Sequence, residues 1–140
     1  MKTNKVVPVI LIFLALGVAV QGVQVDMEKI KEIESGGNPE AVGRAGEVGL
    51  YQIMPVVRKS YNQRTGHSYS RGDLFDPGIN HQIADWYLHD RIPEMLRYYE
   101  IQVTVRTVIW AYNAGIGRVL EGIMPEVTER YIERYQEVQG

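Results

Sequence analysis

Cysteine is absent from the 140-residue chain, which excludes disulfides, thiol catalysis and thiolate metal sites. The six prolines are scattered and the fourteen glycines follow no triplet period, so collagen-like and low-complexity chains are excluded as well. Strong charge of one sign is also missing. The formal net charge is -2, and setting aside Lys2 and Lys5 leaves thirteen basic against seventeen acidic residues. A mildly acidic domain with dispersed arginines lacks the basic stripe that phosphate binding needs, and nucleic acid is not an expected partner. No segment alternates apolar and polar residues over a useful strand length, and no internal repeat occurs.

What the sequence does contain begins with an address. Lys2 and Lys5 precede an apolar run of fifteen residues, Val6 to Val20, with small residues at Gly17, Ala19 and Gly22. This is the pattern of a signal peptide over residues 1–22, and the run falls short of the ~20 residues that cross a bilayer. An uncleaved membrane anchor is the other reading. Both place the working domain, residues 23–140, outside the cytoplasm, in the periplasm or cell envelope. A composition of 45% hydrophobic and 23% charged residues suits one compact domain.

The domain reads as mainly α. Asp26 is a plausible N-cap for Met27, Ile30 and Ile33, with Gly36-Gly37 as the stop. Asp76-Pro77 opens a second helix carrying Ile79, Ile83, Trp86 and Tyr87 to about Asp90, with Pro93 marking a break or restart. Val105, Val108, Ile109 and Tyr112 predict a third, closed by Gly115. Pro125 opens the last, with Val127, Tyr131, Tyr135 and Val138 along one side. The alternating charges from Glu126 to Glu137 make a solvated face, and Arg64 to Asp73, which includes His67, reads as a polar loop.

Between Gly36 and Pro55 lies a glycine-rich stretch with no Walker or dinucleotide fingerprint, so it reads as a long loop of tight turns. Its apolar Leu50, Tyr51, Ile53 and Met54 must pack, Met54 as a gap-filler, and this would wrap the loop back over Glu34. Glu34 shares the apolar face of Met27 and Ile30 and sits in the last helical turn, where the helix dipole disfavours its charge by roughly 0.3–1 kcal/mol. Burial would supply the rest of a shift toward a general acid working near neutral pH. His81, Asp85 and His89 share a helix face but lack the spacing of a zinc helix, and no metal or other cofactor is expected.

Three ordered motifs, Glu34-Ser35-Gly36-Gly37-Asn38-Pro39, Gly49-Leu50-Tyr51-Gln52-Ile53-Met54-Pro55 and Ala111-Tyr112-Asn113-Ala114-Gly115, resemble those of the lytic transglycosylase family. Asp76 to Asn80 and Thr128 to Tyr131 extend the likeness over nearly all of the expected mature chain, leaving no accessory wall-binding module. The resemblance implies a lysozyme-like bundle of short helices with a glycan cleft. It implies Glu34 as catalytic acid and base, and Ser35, Tyr51, Gln52, Tyr112, Asn113 and Tyr131 as substrate-binding or orienting residues. Amides and phenols suit N-acetyl groups, hydroxyls and sugar faces, although Tyr112 also fits an apolar stripe.

The implied reaction cleaves the β-1,4 bond between N-acetylmuramic acid and N-acetylglucosamine in peptidoglycan strands without water, closing a 1,6-anhydro ring. One departure stands out: Glu47 occupies a place where relatives usually carry a small residue. As a second carboxylate it could activate water and give a hydrolytic muramidase; alternatively it is an exposed loop charge. A glycan-binding subunit that has lost catalysis is the third reading. The domain is expected to be monomeric, and its small size suits local wall opening in association with a cell-envelope assembly such as a secretion or conjugation apparatus.

Overall fold

The computed structural model describes residues 22–138, so the expected signal peptide lies, but for Gly22, outside the described residues. Helix α1 spans Met27–Ser35, α2 Pro55–Thr65, α3 Pro77–Trp86, α4 Ile92–Tyr98, α5 Val105–Ala114, α6 Ile116–Leu120 and α7 Glu126–Glu137. A 3₁₀ turn, Gly72–Phe75, leads into α3. The described residues are mainly helical, as the sequence predicts, and two isolated bridges, Val42 to Val48 and Val48 to Ile53, are their extended pairings.

The predicted caps do what their chemistry requires. The Asp26 side chain accepts from the Glu28 and Lys29 backbone N–H groups at 3.0 and 3.3 Å, and Gly36 ends α1 with φ +60°. Thr104 and Thr107, which the sequence reading does not single out, cap α5 reciprocally. Two residues then pin the chain entering α1. The Val25 N–H donates to His89 Nε2 at 3.0 Å and the Asp26 N–H to the Tyr135 hydroxyl at 2.8 Å. His89 Nδ1 meets Asp85 at 2.8 Å and His81 Nδ1 the Tyr51 hydroxyl at 2.8 Å, so each of these imidazoles serves the packing of the fold.

Three expectations need correction. The second helix does not run as one α-helix to Asp90, although Pro93 does mark a restart. Residues Tyr87–Arg91 form a π turn that joins α3 to α4, and Pro93 lies in the first turn of α4, where a missing N–H costs little. On α7 the buried side is Thr128, Tyr131 and Ile132, while Val127 is 59% exposed. Helix α2 begins where the glycine-rich loop ends and was not predicted from periodicity. Only Val57 and Tyr61 of α2 are buried, so its apolar stripe is thin, and Pro55 at its start with Gly66 at its end is the remaining signal.

Helix α5 is central, packed against α4, α6 and α7, and α1 lies on α7. The core gathers Ile30 of α1, Ile83 of α3, Leu88 of the π turn, Ile92 and Leu96 of α4, and Val108 and Ile109 of α5, all fully buried. The loop of residues 36–54 joins this core through Val48, Tyr51 and Ile53. Asn80 is the peg that holds it. Its Nδ2 donates to the Val48 and Leu74 carbonyls at 2.8 Å each, and its Oδ1 accepts from the Tyr51 N–H at 2.9 Å. No described helix is long and apolar enough to cross a membrane.

Candidate active site

Glu34 emerges from the last turn of α1 where α7 and the 36–54 loop converge. Tyr131 of α7 donates its hydroxyl to Glu34 Oε1 at 2.7 Å. A cavity of about 160 Å³ opens beside this pair. Its polar lining is Glu34, Glu47, Gln52 and Asn113; Tyr87 and Tyr112 supply aromatic wall, and Ile53, Met54 and Val57 the apolar remainder. Among the described residues, no lysine or arginine lines it.

Burial pushes the Glu34 carboxyl up from its ordinary 4.5 to about 7, and the Glu47 carboxylate adds to the rise. Tyr131, by bonding the charged form, and Arg134 pull the other way. The carboxyl is therefore divided between its protonated and ionised forms at neutral pH, which suits a group that must first give and then take a proton. Burial and the adjacent Glu34 charge hold the Tyr131 phenol far above its ordinary range, so it acts as a donor throughout.

The other residues singled out in the sequence divide. Gln52 and Asn113 face the cavity. The Gln52 Nε2 is committed to the Ala41 and Gly49 carbonyls at 3.2 and 3.0 Å, which leaves its oxygen as the free end. Gln52 takes φ +48°, a left-handed backbone that a non-glycine residue adopts at a cost, and this turns its side chain into the cavity wall. Asn113 is exposed; its Oδ1 accepts from the Thr128 hydroxyl at 2.7 Å, leaving the amide N–H groups to donate. Tyr112 lines the cavity with its ring while its hydroxyl donates to the Tyr51 carbonyl at 2.6 Å.

Ser35 and Tyr51 do not line the cavity. Ser35 Oγ donates to the Leu50 carbonyl at 2.8 Å, fastening the loop to α1. The Tyr51 ring is 1% exposed against His81 and cannot stack on a sugar; burial pushes its phenol up to about 12. The left-handed backbone at Gln52 accounts for the difference, since it turns Gln52 to the cavity while Tyr51 stays in the core. Met54, expected to be packing, forms part of the cavity wall, and so does Tyr87, whose place in an apolar stripe concealed it. Glu47 is not an exposed loop charge. It lies half-buried in the cavity wall, and its Oε2 is buried without a hydrogen-bond partner among the described residues.

A pH profile tests the proton inventory. Activity that requires protonated Glu34 is expected to fall as pH rises through about 7. Tyr131→Phe removes a bond that favours the ionised form, so the falling limb moves to higher pH, by about one unit. A limb that moves down or stays fixed in Tyr131→Phe sinks this assignment.

A family model described as the transglycosylase SLT domain matches residues 24–131. Over 100 residues, 66% of this chain, the sequence is 34% identical to membrane-bound lytic murein transglycosylase C of Haemophilus ducreyi. The corresponding protein of Actinobacillus pleuropneumoniae is 32% identical over the same length. The chain spans about a quarter, 26%, of these relatives' length. Among solved structures it is similar to the 70 kDa soluble lytic transglycosylase of Escherichia coli, with a TM-score of 0.55 and 25% identity, covering 79% of this chain and 16% of that one. The helical, lysozyme-like architecture is common to both.

Proposed function

The chain belongs to the transglycosylase SLT family, and from that premise we propose that it is a peptidoglycan lytic transglycosylase acting in the cell envelope after export. The observation that carries the reading is Glu34 held by Tyr131 at 2.7 Å, with a proton affinity near neutrality, in a cavity whose free polar ends are those of Gln52, Glu47 and Asn113.

In the first half-reaction, neutral Glu34 protonates the oxygen of the β-1,4 bond between N-acetylmuramic acid and N-acetylglucosamine. The C1–O4 bond breaks while the acetamido oxygen of the muramic residue bonds to C1. In the second, ionised Glu34 takes the proton of the muramic 6-hydroxyl, O6 attacks C1, and the acetamide bond to C1 is released. The product is a 1,6-anhydro ring, and Glu34 ends as it began. Tyr131 donates in both halves and its bond strengthens when Glu34 is charged, so it lowers the cost of giving the proton away. The Asn113 amide, steadied by Thr128, offers donors to hydroxyl or carbonyl oxygens of the sugar. One acid suffices because the substrate carries its own nucleophile, unlike the two-carboxylate glycosidases.

Mass spectrometry of muropeptides released from purified peptidoglycan tests the proposal. Fragments lighter by one water than lysozyme fragments are expected. Ordinary reducing ends would replace the reading by hydrolysis, and no release at all would leave a glycan-binding role. A monomer is expected, and co-purification with an envelope assembly from the native host tests the association.

A further inference from the structure

The unpartnered oxygen of Glu47 is the feature that the proton chemistry of Glu34 leaves unused. A buried carboxylate oxygen without a donor costs on the order of 1–3 kcal/mol or more, and Glu47 lines the cavity, so a ligand donor that turns the carboxyl toward the cavity would relieve that cost. The side chain is held there by a cradle. Glu47 lies over the α-carbon of Gly43, where an added Cβ would collide with the Glu47 carboxyl and its Cγ, and the Gly43 N–H donates to the Glu47 carbonyl at 2.9 Å.

The electrostatics of the cavity narrow what the partner can be. The Gln52 amide donors and the Tyr112 and Tyr131 hydroxyls are committed as described, Gln52 keeps a free neutral oxygen, and among the lining residues the carboxyls are those of Glu34 and Glu47, with no cation among them. When Glu34 has not yet given its proton it is neutral, so Glu47 is then the negative charge of the wall. The lytic reaction develops one positive charge in the sugar itself: the acetamide that closes on C1 becomes an oxazolinium ion whose N–H is acidic and shares the charge. An acceptor in a poorly solvated wall is worth more to such an ion than to the neutral amide before closure.

We propose that Glu47 is a second catalytic residue of this chain, accepting the acetamido N–H of the sugar under attack and stabilising the cyclised cation. It gains and loses no proton; the bond from C1 to the acetamido oxygen forms as C1–O4 breaks, and Glu34 alone transfers protons. The proposal rests on the lytic reading above. It also gives the glutamate a use that does not require an attacking water.

The test uses the full chain on soluble, uncrosslinked glycan strands, and a thiazoline-fused amino sugar as a stable mimic of the cyclised acetamide. Glu47→Gln is expected to lower kcat by about 10²-fold with KM within about threefold, keeping the anhydro product and a melting temperature no lower than the parent's. Its affinity for the thiazoline is expected to fall by about tenfold or more while affinity for unreacted strands stays within about threefold. Gly43→Ala, which displaces the carboxylate without removing it, is expected to lower kcat in the same direction. Unchanged kcat in Glu47→Gln, or equal losses for thiazoline and unreacted strands, would overturn the proposal. Reducing ends from the parent protein that become anhydro ends in Glu47→Gln would make Glu47 a base for water instead. Absence of anhydro ends from the parent protein, with thiazoline binding still dependent on Glu47, would overturn the lytic reading and leave this contact standing.

Discussion

Glu34→Gln is expected to reduce glycan cleavage by about 10³-fold or more and, at the same time, to make the protein harder to unfold. The first half follows from removing the one group that donates and retrieves the proton; positioned acid–base groups contribute roughly 10²–10⁴-fold, and here a single group does both. The second follows from burial. Glu34 titrates near 4.5 when unfolded and at about 7 when folded, so the folded state binds the proton more tightly. Its contribution to stability is fully present below 4.5 and is lost as pH rises to about 7, a difference of about 3 kcal/mol. Gln carries no charge to desolvate and still offers Tyr131 an oxygen. The stability of Glu34→Gln relative to the parent should therefore be near zero at pH 4 and favour the variant by about 3 kcal/mol at pH 8. Urea unfolding at the two pH values reads this directly. A difference that is flat with pH would mean that Glu34 is better solvated than its surroundings indicate.

Asn80→Ala is expected to cost at least about 3 kcal/mol, enough to threaten the folded state of a domain this size. Asn80 is fully buried, and its removal leaves the Val48 and Leu74 carbonyls and the Tyr51 N–H without partners. Each orphaned group costs on the order of 1–3 kcal/mol. The measurement is the urea midpoint at constant m-value. Gly49→Ala should fall on the same interaction, because its added Cβ would collide with Asn80 Nδ2 and reach the Leu74 carbonyl at 2.6 Å, from a backbone with φ +82°. The double variant should cost less than the two singles together, since both break one peg. Additive costs would show that Gly49 and Asn80 act separately. The loop that carries Glu47 and Gln52 hangs from this peg, so activity should fall further than the folded fraction does.

How far the sequence reveals this molecule depends on how local each signal is. Asp26, Gly36, Asp76-Pro77 and Gly115 mark helix ends because capping chemistry involves neighbours in sequence, and all four do so in the structure. Glu34 could be picked out because a charge on an apolar stripe conflicts with its neighbours at helical spacing. Tyr131, ninety-seven residues away, was placed near it by the resemblance and not by any pattern. Asn80 is invisible to periodicity, since a buried amide reads like an exposed one until its three backbone partners are known. Tyr51 and Gln52 show the same limit from the other side. Adjacent in one motif, they point to opposite sides of a turn whose positive φ at Gln52 has no signature in composition.

The π turn at Tyr87–Arg91 also sets a beat. Ala84, Leu88, Ile92 and Leu96 recur every four residues and are all buried. On an α-helix, at 3.6 residues per turn, such a series drifts steadily around the axis and would leave the core. The wider turn takes up the excess residue, so the four-residue rhythm stays on one side across the junction. The segment thus behaves as a vernier between two helices. Closing this turn into an ideal ladder of hydrogen bonds with every residue retained would rotate all of α4 by about 100° and take Leu96 out of its place. In this helix, local regularity and global fit are alternatives.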